Sequence, residues 1–330
     1  MRVHVRTPSR LHFALIDLNG QLGRVDGSLG LAIDKPNVIL EARPSSTVEI
    51  VGERSSFVKE LALEFMRHYK ITKGISIRVR SMIPGHVGLG SSTQTSLAVA
   101  SSLARVFGLN EPVRKLAQVM GRGGTSGIGV AAFEKGGFIL DAGHSFGEGK
   151  EKQSFLPSRA SRARPAPLLA RYDFPKNWIF VIAVPNVPLG AHGEKETEIF
   201  RERCPIPSDQ VAEVCRIIVM KILPALVEKD IAEFGKGLNR LQEIGFAATT
   251  RDLINPFVKE CMNFMMEKGA YGAGQSSFGP TTFGLVHGEK QAHKLRKEIQ
   301  KFIDQNVGGR VFCSQANNSG ASIRFIRAAR

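Results

Sequence analysis

The sequence predicts an α+β protein built in two halves, and three observations carry that prediction. Apolar residues alternate with polar ones in short runs over the first fifty positions, the period of half-buried strands. A glycine-rich turn near position 90 then joins a strand-like run to a helix pattern rich in small residues. Beyond Trp178, long helical periodicities are broken by a few apolar runs of strand length. At 330 residues the chain can hold two domains or one large one, and the change of pattern divides it into 1–172 and 173–330.

Each element has its own signal. Val3 and Val5 alternate with polar neighbours, and strands are expected at 11–16, 29–33, 38–42 and 48–51, with Asn19-Gly20 marking a turn. Phe57, Leu61, Phe65 and Tyr69, four apart, predict the apolar face of a helix. A strand at 75–80 enters the glycine-rich turn and a helix at 91–108 leaves it; Asn110 and Pro112 begin another, to about 120. The glycine-rich run 121–129 is expected as a loop beside the first. A strand at 138–141 precedes a polar, then Arg- and Pro-rich stretch at 143–172, expected as a connecting segment or cover. The second half opens with a buried strand at 178–184, and helices follow at 194–203, 208–228, 230–246 and 256–268. Asn255 and Pro256 supply the cap and first position of the last of these. A strand at 282–286, a helix at 289–304 and strands at 310–315 and 321–327 complete the chain, which has no internal repeat.

Composition narrows the function. No apolar run approaches the roughly 18 residues that span a bilayer, and no signal peptide is read at the start, so a cytoplasmic protein is expected. Cys204, Cys215, Cys261 and Cys313 lack the spacing of a zinc site and are expected to stay reduced. The net charge of +15 suits strongly anionic partners. Aromatics are only 7% of residues and no basic run is interleaved with them, which favours polyphosphate substrates over nucleic acid. Much of the excess is local, at Arg159, Arg162, Arg164 and Arg171, which read as a solvated linker, and at Arg324, Arg327 and Arg330. Met262, Met265 and Met266 read as helix packing.

The organising stretch is Ile83-Pro84-Gly85-His86-Val87-Gly88-Leu89-Gly90-Ser91-Ser92-Thr93-Gln94. A glycine-rich turn opening a helix gathers unpaired backbone N–H groups and the positive end of the helix dipole at one point. Gly88 and Gly90 permit close approach of an anion, and Ser91, Ser92 and Thr93 add hydroxyls, so the stretch reads as a phosphate or diphosphate cradle. The alternative is a plain turn with a serine N-cap. No lysine follows Gly90, and the spacing and acidic residue of a dinucleotide site are lacking.

Pro84-x-x-x-Gly88-Leu89-Gly90-Ser91-Ser92 resembles the phosphate-binding motif of the GHMP superfamily, named for galactose, homoserine, mevalonate and phosphomevalonate kinases. Thr7-Pro8-Ser9-Arg10-Leu11-His12-Phe13 and Gly272-Ala273-Gly274-Gln275-Ser276-Ser277-Phe278-Gly279-Pro280-Thr281 sit where its other two blocks lie. Their wording is most similar to one branch, the archaeal β-ribofuranosylaminobenzene 5′-phosphate synthases. The resemblance implies a two-domain fold, a ribosomal-protein-like N-terminal domain with a ferredoxin-like C-terminal one, and a site between them. Where the kinases commonly read Ser-Gly-x-Asp, this chain reads Ser126-Gly127-Ile128-Gly129, which moves the expectation from kinase to synthase. A GHMP kinase using ATP is the alternative, and an RNA-binding protein a more distant one.

The chemistry implied by the resemblance joins phosphoribosyl pyrophosphate to 4-aminobenzoate or 4-hydroxybenzoate, releasing carbon dioxide and pyrophosphate on the route to methanopterin. Mg²⁺ is the expected cofactor and a homodimer the expected assembly. Gly88, Leu89, Gly90, Ser91, Ser92 and Thr93 are the candidates for the diphosphate, with Arg10, Arg24 and Arg122 as anion clamps. Asp17 and Asp26 are candidate Mg²⁺ ligands or cation-stabilising carboxylates; His12 and His86 are candidate proton carriers or hydrogen-bond donors. The C-terminal stretch Gly274-Gln275-Ser276-Ser277, expected as a loop, would close the site with backbone and hydroxyl donors. Each has a plain structural reading: Arg10 and His12 as a strand's polar face, the aspartates as turn residues, His86 as a loop residue. His144, His192 and Glu194 are weaker candidates on loops.

Overall fold

The apolar alternation of the first half does become strands. The structure, a computed structural model, describes residues 2–158, 160–191 and 193–326; Arg159, His192, Arg327 and Arg330 lie outside the described residues. In chain order come β1 (Arg2–Arg6), β2 (Ser9–Asp17), β3 (Arg24–Ile33), β4 (Ile39–Ser45), β5 (Val48–Val51), α1 (Ser55–His68), β6 (Gly74–Ser81), α2 (Ser91–Val106), α3 (Val113–Val119), α4 (Ile128–Glu134), β7 (Phe138–Asp141), β8 (His144–Ser145) and β9 (Leu168–Tyr172). The second half adds β10 (Trp178–Pro185), α5 (Glu194–Arg203), α6 (Ser208–Ile217), α7 (Leu223–Glu228), α8 (Ile231–Leu241), α9 (Gly245–Thr249), α10 (Pro256–Glu267), β11 (Gly272–Gln275), β12 (Thr282–His287), α11 (Gly288–Asp304), β13 (Gly309–Ser314) and β14 (Ser322–Ile326).

Three sheets result among the described residues. One has the order β14-β1-β4-β6-β5, a second β2-β3-β7-β9 with β8 also on β3, and a third β11-β12-β10-β13. Numbered within its own half, the third sheet runs 2-3-1-4, with helices between its first and second and its third and fourth strands, the ferredoxin-like βαββαβ order. Leu11 and Phe13 of β2 point into the core while Arg10 and His12 take the other face, as period-2 alternation requires. Phe13 meets Phe138 of β7 at 6.2 Å, Phe180 of β10 at 6.1 Å and Phe283 of β12 at 5.3 Å between ring centroids, so the two halves share one core.

Five expectations need correction. Ile128 and Gly129 are not loop but the start of α4, a helix buried from Ile128 through Phe133 and therefore without an amphipathic stripe to betray it. The stretch 143–172 is not merely a connector: Leu168–Tyr172 pairs with β7 as an edge strand, where a proline-rich approach is tolerated. Gly272–Gln275 is a strand paired with β12, not a loop. The expected helix at 208–228 contains a π-helical turn, Ile218–Ile222, between α6 and α7, and the one at 230–246 stops at Leu241. The division at 172/173 follows the sheets until the last strand, where β14 returns to pair with β1.

Candidate active site

The cradle forms because β6 runs into a loop with left-handed turns and a close backbone contact that needs glycine at position 88. His86, Gly88 and Gly90 have φ of 59°, 93° and 79°, and a Cβ on Gly88 would lie 2.2 Å from the Ser276 carbonyl oxygen. Gly90 leads into α2, whose first turn has neither a side-chain cap nor an acidic residue. The leading N–H groups of α2 and its positive dipole end are thus left for an anion.

The three sequence blocks meet at one carbonyl. Gly88 O accepts from the Ser276 hydroxyl at 2.7 Å and from Arg10 Nη1, while the same hydroxyl accepts the His12 backbone N–H at 3.0 Å. Arg10 N–H donates to Leu89 O at 3.2 Å and Thr281 N–H to Val87 O at 3.3 Å. Ser276 is fully buried, so this junction is a fixed part of the fold. Gln275 donates its side-chain amide to Gly279 O at 2.7 Å and its backbone N–H to Gln242, bracing the third block; Ser277 follows with φ 57°.

Burial sets the charges. The Arg10 guanidinium is lowered to about 10, burial outweighing the nearby Glu196, and stays cationic at neutral pH. The His12 imidazole is pushed down to about 3 by burial and then by Arg10, so it stands neutral beside the cradle. Beside it opens a cavity of about 310 Å³ with walls including Phe13, Phe246, Ile199 and Phe278 and with His12 and Lys195 among its polar atoms. An apolar cleft with a few converging polar groups suits a small organic ligand.

Not every candidate converges here. Arg122 reaches Ser96 Oγ of α2 at 3.0 Å, and His86 is exposed on the cradle turn. Arg24 donates to the Ala142 and Gly143 carbonyls, at the opposite end of the β2–β3 hairpin. Arg10 pairs with Ala32, so Arg24 lies eight residues away along β3 (32 − 24), roughly 27 Å. Asp17 and Asp26 pair across that same far end. Asp17 accepts the N–H groups of Asn19 and Gly20 at 2.7 and 3.0 Å, the turn role. Asp26 is buried, with Lys152 Nζ at 3.1 and 2.9 Å from its two oxygens and His144 Nδ1 at 2.6 Å. Lys152 and Asp141 were not foreseen. Asp141 accepts from Ser28, Gly127 and Gly143, and burial raises it to about 6. The sequence gives Lys152 no signal, but an aspartate closing the buried run Phe138–Asp141 is one.

Asp26 does not fit a magnesium ligand set, and Asp17 gives Oδ1 to the turn. Asp26 already has a lysine and a histidine on its oxygens, and no cluster of three His, Cys, Asp or Glu able to hold a metal occurs among the described residues. At position 129 a Cβ would lie 3.0 Å from Thr93 Cγ2, so α4 meets the first turn of α2 where the kinases commonly carry their aspartate.

The chain matches the family model of the GHMP kinases N-terminal domain over residues 56–137 and that of the GHMP kinases C-terminal domain over 222–305. It is 44% identical to a β-ribofuranosylphenol 5′-phosphate synthase of Archaeoglobus fulgidus, over 97% of this chain and 99% of that protein. It is 42% identical to the synthase of the same name from Methanothermobacter thermautotrophicus, over 96% and 97%. The chain belongs to the β-ribofuranosylphenol 5′-phosphate synthase family. That family carries the GHMP fold: a homoserine kinase of Cytophaga hutchinsonii superposes with a TM-score of 0.69 at 21% identity, covering 98% of this chain and 97% of that one. As a synthase of this family the chain is an enzyme of pentosyl transfer with decarboxylation. No helix among the described residues is long and apolar enough to cross a membrane.

Proposed function

We propose that the chain condenses phosphoribosyl pyrophosphate with 4-hydroxybenzoate, giving β-ribofuranosylphenol 5′-phosphate, carbon dioxide and pyrophosphate. The observation that carries this is near-full-length identity to synthases named for that phenol. A phenolic product calls for the hydroxy acid, which favours 4-hydroxybenzoate over 4-aminobenzoate.

The chemistry asks little of side-chain acids and bases. The bond from the ribose C1 to the diphosphate breaks with its electron pair on the leaving group. The ring carbon bearing the carboxylate, para to the hydroxyl, attacks C1. Its bond to the carboxylate then breaks, and that pair restores the aromatic ring as carbon dioxide departs. No net proton moves, which agrees with a neutral, poorly basic His12 at the site. The α2 N-terminus would stabilise charge developing on the departing diphosphate, and Arg10 fixes the loop that presents it. The cavity beside His12 suits the aromatic ring, with Lys195 available to its carboxylate. Magnesium, a homodimer and a cytoplasmic location belong to the same proposal. The ion would arrive as counter-ion of the diphosphate, and no step is drawn through it.

The test uses purified protein with carboxyl-labelled 4-hydroxybenzoate, phosphoribosyl pyrophosphate and Mg²⁺, and ATP replacing the ribosyl donor in parallel. Equal, donor-dependent release of labelled carbon dioxide and pyrophosphate is expected. ADP formed from ATP and a small alcohol, with no labelled carbon dioxide, would overturn it in favour of a kinase.

A further inference from the structure

We infer that Arg54 takes the 5′-phosphate of the phosphoribosyl donor, at a second anion position beside the cradle. The identity of the ligand rests on the proposed function; the position rests on geometry of its own. β5 and β6 run parallel, so the segments leaving their carboxyl ends, 52–54 and 82–90, emerge side by side. Each leads into a helix, α1 or α2, and neither helix has a side-chain cap or an acidic residue in its first turn. The carboxyl ends of parallel strands are where open sheets bind ligands. Bare helix N-termini there favour anions.

Arg54 is the residue that opens α1, with φ 53°. Its guanidinium lies over the Phe57 ring, 4.6 Å from the centroid. It also rests on the cradle turn, where a Cβ on Gly85 would be 3.0 Å from Nη1 and 3.4 Å from Cζ. Nη1 is buried and has no hydrogen-bond partner among the described residues. A buried guanidinium nitrogen without an acceptor is costly, and a phosphate drawn to the Arg54 fork would supply oxygen acceptors of opposite charge. Gly85 is three residues from Gly88, so Arg54 and the cradle lie within at most about 11 Å of chain. A pentose with a diphosphate on C1 and a phosphate on C5 can bridge that span.

Calorimetric titration of the full chain with ribose 5-phosphate and with inorganic pyrophosphate separates the two positions. Arg54→Ala is expected to weaken ribose 5-phosphate about tenfold or more and leave pyrophosphate within about twofold. In turnover its KM for phosphoribosyl pyrophosphate rises while kcat and the KM for the aromatic acid hold. Arg54→Lys recovers part of the affinity, since it keeps the charge but not the planar fork. Should Arg54→Ala fail to fold, Arg54→Gln, which keeps the packed stem over Phe57 and removes the charge, is expected to give the same split. Unchanged ribose 5-phosphate binding, or equal weakening of both ligands, would overturn the assignment. Absence of labelled carbon dioxide from the wild-type protein overturns the proposed function instead, and the split between the two ligands still decides Arg54.

Discussion

Side chains that look alike in the sequence part company once burial is known. His12 and His86 both stood as proton carriers, yet burial holds His12 near a pKa of about 3. Its ring proton signals are therefore expected to stay flat between about pH 5 and 8, and His12→Gln to leave the shape of the kcat/KM pH profile unchanged. A His12 titration near pH 6.5 in the NMR spectrum would contradict this. Ser276→Ala removes the acceptor of the buried His12 N–H and is expected to cost about 1–3 kcal/mol in urea unfolding, along with a fall in kcat/KM. Asp26 belongs to a buried ion pair, so Asp26→Ala is expected to lose about 3–5 kcal/mol by leaving Lys152 uncompensated. Full stability in that variant, with a changed Mg²⁺ requirement, would restore it as a metal ligand. Asp141 holds its proton more tightly folded than unfolded, about 6 against 3.8. Its contribution is full below about pH 4 and lost as the pH rises through about 6. The unfolding free energy of wild type minus Asp141→Asn should accordingly fall by up to about 3 kcal/mol across that window.

At the scale of elements, the site is a meeting of backbones. Gly88 packs on the Ser276 carbonyl and Gly279 on the Val87 carbonyl, so neither loop can carry a side chain at the contact. Gly88→Ala is expected to reduce kcat/KM by about a hundredfold or more, because a shift of about 1 Å in the cradle is enough for that. A variant with unchanged kinetics would show that the loops separate without consequence. The helix α4 presents Gly129 to Thr93 in the same close-fitting manner. Gly129→Asp would bury an unpaired carboxylate there and is expected to lower stability by about 2 kcal/mol or more, without ADP formation from ATP in a coupled assay.

The whole molecule folds as one unit, because its halves exchange both a strand and a core. Phe13 is shared between β7, β10 and β12, and β14 completes the sheet that β1 begins. A fragment of residues 1–172 is thus expected to give no native-like dispersed NMR spectrum, having lost Phe180, Phe283 and its edge strand. Elements such as the periodic strand Val48–Val51 and the capped helix Pro256–Glu267 were legible because their signals are local. The helix α4 and the strand β9 were not, since burial on every side, or a proline-rich approach to a sheet edge, erases the period. The amino-acid sequence by itself determined the three blocks, the cradle and the missing acid at Gly129, because backbone freedom and residue type are properties of single positions. Only the tertiary structure decided which charges work together. It carried Asp26 and Arg24 away from the cradle, fixed Ser276 on the Gly88 carbonyl and brought Arg54 beside the turn, since proximity between residues far apart in the chain is set by sheet order and core packing.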